Sequence, residues 1–122
     1  MAAAMLGMLL SKKGDMAAAE AAYRRADERG SADGAFNLGE LLRERGDLTN
    51  AIAAYRRADE RGDRMAVLRV GMLLERIGSL REALDAYQRA RQCDRPEVAE
   101  VARSREEALA LGISLAGKRG ER

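Results

Sequence analysis

The chain has 122 residues, 47% hydrophobic and 34% charged, but only 3% aromatic and without tryptophan, so its core must come from Ala, Leu, Met and Val, a mixture that favours closely packed helices. It contains no His, which removes the commonest general base and metal ligand, and its 22 basic and 20 acidic residues are interleaved, unlike the one-sign face that nucleic acid needs. The lone cysteine, Cys93, excludes an intramolecular disulfide and fits a reducing, cytoplasmic setting, and no apolar run reaches the roughly 20 residues that span a bilayer.

The predicted elements form one series. A first helix near 2–13 stops at Gly14, where glycine takes a left-handed conformation without a Cβ clash. Asp15 caps a second helix near 16–29, which carries the decapeptide AAYRRADERG at 21–30. Gly30-Ser31 stops that helix and starts the next, near 32–45; Gly46-Asp47 does the same for a helix near 48–61. That fourth helix repeats AAYRRADERG, unchanged, at 53–62. Gly62-Asp63 opens a fifth helix near 64–77. Gly78-Ser79 opens a sixth near 80–93, with Ser79 and Glu82 at capping-box spacing and a blurred third copy, DAYQRARQCD, at 85–94. Connections this short make consecutive helices antiparallel. Asp94-Arg95-Pro96-Glu97 starts a seventh helix, expected over 96–116. Its stripe of Val98, Val101, Ala102, Leu109, Ile113 and Ala116 is expected to cover the last pair, with Glu100, Arg103 and Glu107 in water. Residues 118–122 read as a short basic frayed tail.

A shift of 32 residues aligns the copies. Leu6-Gly7, Leu38-Gly39 and Val70-Gly71 coincide, followed by Ala19, Ala51 and Ala83, by Tyr23, Tyr55 and Tyr87, and by Ala26, Ala58 and Ala90. Gly7, Gly39 and Gly71 lie inside helices, where glycine costs about 1 kcal/mol against alanine. The simplest reason is close approach, the Tyr of the second helix lying over a backbone that has no side chain. Within Tyr23–Arg29, Arg24 stands three and four residues before Asp27 and Glu28, the spacing of surface ion pairs.

These residues resemble the tetratricopeptide repeat, whose pattern places Leu-Gly in the first helix of each pair and Ala, an aromatic and Ala in the second. Leu38-Gly39, Leu42, Ala51, Tyr55 and Ala58 occupy those places in the middle unit. The leading aromatic is replaced by Ala3, Ala35 or Val67, the period is 32 rather than 34, and the Asp-Glu-Arg-Gly ends are similar to the short helix-pair repeats of bacteria. The resemblance implies an all-α, right-handed α-solenoid of three antiparallel helix pairs with a C-terminal capping helix. It forms one domain over 1–117, with repeats of about 1–30, 31–62 and 63–94.

The resemblance also implies a function. The second helices are near copies, whereas AAAMLGMLLSKKG, GAFNLGELLRERG and AVLRVGMLLERIG share only packing residues. In this family the first helices line a concave surface that holds a peptide. Projected onto this chain, that surface comprises Met5, Met8 and Lys12, then Phe36, Asn37, Glu40 and Arg43, then Leu68, Arg69, Met72 and Arg76. Met8, Phe36, Leu68 and Met72 are the expected apolar anchors, and methionine suits partners that need accommodation. Arg43, Arg69 and Arg76 are the orienting charges. Asn37 and Arg69 match two places of the basic clamp that some members use for a terminal carboxylate. Ala4, Met8 and Met65 stand at its other places, so that specificity is not expected.

The expected function is a non-enzymatic scaffold for a protein or peptide partner, with no cofactor, metal, nucleic acid or membrane. A glycine-loop phosphate cradle is absent, and Cys93, without a His to activate it, reads as a buried inert thiol. The alternative is a self-associating structural protein. Ala2, Met5, Leu6 and Leu9 on the first helix lack a preceding helix to cover them, so a second chain or a further stretch of repeat is expected to do so.

Overall fold

A computed structural model describes residues 15–120, with the backbone alone from residue 114 onward. The first helix expected at 2–13 therefore lies outside the described residues, together with Gly7 and Gly14. Six helices follow: α1 (Met16–Glu28), α2 (Ala32–Glu44), α3 (Leu48–Glu60), α4 (Arg64–Arg76), α5 (Leu80–Arg91) and α6 (Pro96–Gly120). There is no strand among the described residues. The chain divides into two compact units, residues 1–66 and 67–122.

In the first unit α2 packs against both α1 and α3. The joints between these helices are identical in design. The amide of Ser31 donates to the carbonyl of Ala26 (3.0 Å) and that of Gly30 to Asp27 (2.9 Å); Asp47 and Gly46 repeat the pattern on Leu42 and Arg43. This double bond closes a helix only if the penultimate residue is left-handed, and Gly30, Gly46, Gly62 and Gly78 all have φ between +82° and +98°. They fall sixteen residues apart, half the sequence repeat. The residue after each glycine then opens the next helix. Ser31 Oγ accepts from the Gly34 amide (2.9 Å), and Asp47 Oδ1 from Asn50 (3.4 Å). Asp63 Oδ1 accepts from Met65 (2.9 Å) and Ala66 (3.2 Å). Ser79 departs from the expected capping box, since its side chain makes no cap hydrogen bond.

The core of the first unit is made of small residues with tyrosine wedges. Ala19, Ala22, Ala35, Ala51, Ala54, Tyr55 and Ala58 are fully buried. A Cβ placed on Gly39 would meet the Tyr55 ring at 2.7 Å, so the interior glycine exists to seat the tyrosine of the next helix. Gly34 is a second close crossing, unforeseen in the sequence: its Cβ would lie 2.5 Å from that of Ala26. This glycine has no counterpart 32 residues later, where Ala66 stands, so the repeat gave no signal for it.

Charge reinforces the packing. Asp27 is 8% exposed and is held by Arg57 (Nε and Nη2, 2.7–3.1 Å) and by Arg61 (Nη1, 2.7 Å), both from α3 and its end. Arg61 also donates to the Ser31 carbonyl (3.1 Å). The expected pairing of Asp27 with Arg24 does not form. Arg24 turns back to Glu20 at 3.0 Å, and Glu20 also binds Arg45. The reason is burial: Asp27 faces the neighbouring repeat, whereas Arg24 is on the water side.

In the second unit α6 packs on α5. Gly71 seats Tyr87 as Gly39 seats Tyr55, with ring carbon Cε1 2.6 Å from the added Cβ. Val98 and Ala102 are buried and Leu109 is 9% exposed, while Val101, expected in the same stripe, is 44% exposed. Val98, Ala102 and Leu109 fall within about 40° of one another around the helix, whereas Val101 lies about 100° from Ala102, at the edge of that stripe. Glu100, Arg103 and Glu107 are exposed. Two boundaries move. The sixth predicted helix ends at Arg91 instead of 93, and α6 continues to Gly120 instead of 116, so three residues assigned to the tail are helical. No proline follows Pro96 to stop the helix earlier. Cys93, just past α5, is half-buried instead of buried, its Sγ 3.5 Å from the Arg95 carbonyl.

Gly39→Ala gains helix propensity but forces the Tyr55 ring to move, and overpacking of this kind costs about 1–3 kcal/mol. A lower midpoint in thermal or urea unfolding is expected, and an unchanged midpoint would separate the glycine from the wedge. Asp27→Asn should destabilise by about 1–3 kcal/mol at neutral pH, because two guanidiniums lose their charged acceptor. Burial by itself would raise the Asp27 pKa, but hydrogen bonds and charge from Arg57 and Arg61 outweigh it and hold it below the ordinary 3.8. The stabilisation is thus complete above that value and is lost as pH falls through the lowered one. Urea melts should show the two proteins converging only in that acidic range.

Candidate functional site

The described candidate residues lie on α2 in the first unit and on α4 in the second. In the first unit, Phe36, Asn37, Glu40 and Arg43 of α2 are all half-buried. Phe36, Glu40 and Arg43, at spacings of four and three, share one face, and Asn37 lies at its edge, three residues before Glu40. The Phe36 ring lies 5.5 Å from that of Tyr55 at a tilt of 58°, a favourable aromatic geometry. Glu40 ties this face to α3. Its Oε1 accepts from the Tyr55 hydroxyl (2.8 Å) and its Oε2 from Arg43 Nη2 (2.8 Å). Arg43 Nε is buried without a hydrogen-bond partner. Burial alone would lower the Arg43 pKa, but the Glu40 carboxylate more than offsets this and raises it. The Glu40–Arg43 ion pair, at 2.8 Å, is therefore part of the face itself.

In the second unit, the four α4 positions differ in their burial. Met72 and Arg69 are half-buried, with Arg69 Nη1 3.9 Å from the Met72 sulfur. Arg76 is exposed. Leu68 is only 3% exposed and packs in the interior, so it is not an available anchor in this form. Met5, Met8 and Lys12, and the proposed self-association residues Ala2, Met5, Leu6 and Leu9, lie outside the described residues.

The tyrosine hydroxyls were not foreseen as organisers of this face. The residue 32 places after Glu40 is Met72, which cannot replace a carboxylate. Tyr87 instead donates to Glu75 Oε1 (2.7 Å), one turn farther along α4, where the preceding repeat has Arg43. Glu40 with Arg43 in one repeat thus becomes Met72 with Glu75 in the next. The tyrosine is satisfied in both, and the rest of the face changes from an ion pair to an apolar side chain. The signal in the sequence was an invariant buried tyrosine, which requires an acceptor for its hydroxyl.

Among the described residues no three potential metal ligands lie together, and no helix is long and apolar enough to cross a membrane. A polar cleft in the second unit, lined by Gln88, Arg91, Gln92, Arg103 and Glu106, contains none of the candidate residues. It is bridged by Arg91 and Gln88 to Glu106 at 2.7 and 3.2 Å.

The hydroxyl network gives a pH signature. Burial first, and then the Glu75 carboxylate, push the Tyr87 phenol up to about 12 from an ordinary 10.0; burial and Glu40 raise Tyr55 further, and Tyr23 is raised by burial and Glu44. The neutral phenols stabilise the fold fully below pH 10, and that contribution is lost as pH rises through the elevated values. Absorbance at 295 nm should therefore show phenolate forming later in the native protein than in the urea-unfolded chain. Glu75→Gln should bring part of that absorbance change to lower pH.

Three comparisons bear on identity. The sequence profile of the tetratricopeptide repeat matches residues 4–66, just over half of the chain. No curated protein matches the sequence. Among solved structures, the Yersinia enterocolitica type III secretion translocator chaperone SycD is similar, with a TM-score of 0.78 over 92% of this chain and 83% of that one, at 17% sequence identity. At that identity the likeness is one of fold. The wedge of Tyr over Gly, the alanine seams and the profile match agree, and the chain belongs to the tetratricopeptide repeat family.

Proposed function

We propose that this protein is a non-enzymatic scaffold that holds a peptide or protein segment against the first helices of its repeats. Tetratricopeptide repeats serve protein–protein interaction, and the likeness in fold to a chaperone fits a protein partner. The observation that carries the reading is the contrast between helices. The second helices repeat a near-identical decapeptide, while the first helices vary from Phe36, Asn37 and Glu40 to Leu68, Arg69 and Met72, all half-exposed except the buried Leu68. A face that differs from repeat to repeat while the packing beside it stays constant is suited to a particular partner.

Phe36 in the first unit and Met72 in the second are the apolar anchors of this reading, while Leu68 supports α4 from within. Arg43, Arg69 and Arg76 orient the partner, and Asn37 can both donate to and accept from a peptide backbone. Desolvated apolar contacts provide most of the affinity in such interfaces, and exposed charges set orientation and association rate.

The partner is identified by affinity capture and mass spectrometry with the Phe36→Ala, Met72→Ala double variant as control, and its affinity is then measured by calorimetry. Met72→Ala should cost more than about 1 kcal/mol of binding. Arg76→Ala should weaken binding mainly at low salt, because exposed charges are screened over about 10 Å at 0.1 M. Melting temperatures are measured alongside. Unchanged affinity in Phe36→Ala and Met72→Ala, together with lower melting temperatures, would assign these residues to packing and place binding elsewhere.

A further inference from the structure

On α4, Met65, Arg69, Met72 and Arg76 follow one another at spacings of four, three and four residues. At about 100° per residue they fall within about 60° of one another, on the side away from the buried Val67, Val70 and Leu74. Met65, Arg69 and Met72 are half-buried and Arg76 is exposed. The homologous positions of α2, 32 residues earlier, are Asp33, Asn37, Glu40 and Glu44. The same face is thus acidic in one repeat and mixed apolar and basic in the next. A segment that suits the α4 face must bring both carboxylates and apolar groups.

Such a segment stands on α6. Glu100, Ser104, Glu107 and Leu111 repeat the spacing of four, three and four, and all four are exposed, Leu111 by 62%. They too fall within about 60° of one another, opposite the buried Val98, Ala102 and Leu109. Glu100 and Glu107 make no ion pair among the described residues, and neither does Arg76 on α4. Of the other charges on this part of α6, Glu106 is held by Arg91 and Gln88, and Arg105 is turned to Tyr87. Arg103 lies at the edge of the face, about 60° from Glu100.

The spacing reads the same in both directions, so the side chains decide how the two faces fit. Antiparallel, Met65 meets Leu111, Arg69 meets Glu107, Met72 meets Ser104 and Arg76 meets Glu100. Parallel over the same span, both methionines would meet a glutamate and neither arginine would. In the antiparallel register Arg103 also falls on the side of Glu75, the one carboxylate of α4. Each face is open to solvent in the single chain, so they meet only between copies. We propose that α6 of one copy of this chain docks antiparallel on α4 of a second copy, Arg69 and Arg76 of α4 pairing with Glu107 and Glu100 of the docked helix. This rests on the reading of the α4 face as a docking surface and names its occupant.

Sedimentation velocity on the full chain, from micromolar to millimolar, tests this. Reversible association is expected, weaker as salt rises because surface charges are screened. Arg76→Glu and Glu100→Arg, both at exposed sites, should each raise the dissociation constant by about tenfold or more, since like charges then face each other. An equimolar mixture of these two variants should recover association, because in a mixed pair every such contact again joins a cation to a carboxylate. Mixing cannot repair a defect of folding. Glu28→Arg, which changes the net charge as Glu100→Arg does but on α1, should leave association unchanged. A chain that remains monomeric at every concentration overturns the proposal. So does a dimer that Arg76→Glu leaves intact, or a mixture that fails to recover association. Partner capture through Phe36 and Met72 is measured with dilute, monomeric chain, so failure of that reading and failure of this one are told apart.

Discussion

A tyrosine ring lying on a glycine backbone sets the geometry of both units. Tyr55 on Gly39 and Tyr87 on Gly71 place an aromatic side chain where any Cβ would intrude, so each pair of helices meets at one fixed contact. Alanine at the neighbouring positions then becomes necessary, because larger side chains would push apart helices that the wedge draws together. Buried leucines such as Leu38, Leu41 and Leu73 fill the space beside these close crossings. The stability of the core rests on fit, and each tyrosine contributes a large share of the buried apolar area.

That fit also couples the interior to the candidate binding face. A buried phenol needs an acceptor, and the acceptor stands on the first helix, Glu40 in one repeat and Glu75 in the next. Glu40 in turn fixes Arg43. The charged part of the face is therefore held by the same residue that holds the helices together, which limits side-chain motion at the surface. Preorganised charges of this kind lose less entropy when a partner is bound. Met72, which takes the place of Glu40 in the next repeat, has no such tie to the tyrosine and can adapt its shape instead.

The joints provide the regularity that the wedge requires. A left-handed glycine closes one helix, and the following Ser or Asp, itself part of the closing bond, caps the next. One three-residue device thus serves as stop and start, and helices of 13 residues recur with the same phase. The buried carboxylate of Asp27 then locks successive second helices through Arg57 and Arg61. Of the three groups only the Asp27 carboxylate is buried, so it is the one that depends on its partners, Arg57 and Arg61 being partly exposed.

By itself the sequence determined the helices, their joints and the glycine–tyrosine contact. These depend on local backbone chemistry and on a strict 32-residue period, and both can be read from spacing. It also marked the first helices as the variable face, since a comparison of repeats needs no coordinates. Only the tertiary structure decided which side chains meet across the pairs. Asp27 stands three residues from Arg24 on its own helix, but its partners are 30 and 34 residues away, because a buried carboxylate takes the cations that the neighbouring helix brings to it. In the same way Leu68 went inside and Val101 stayed outside. A period of 3.6 residues leaves flanking positions ambiguous by a fraction of a turn, and the rotation of each helix against its neighbours decides which are buried.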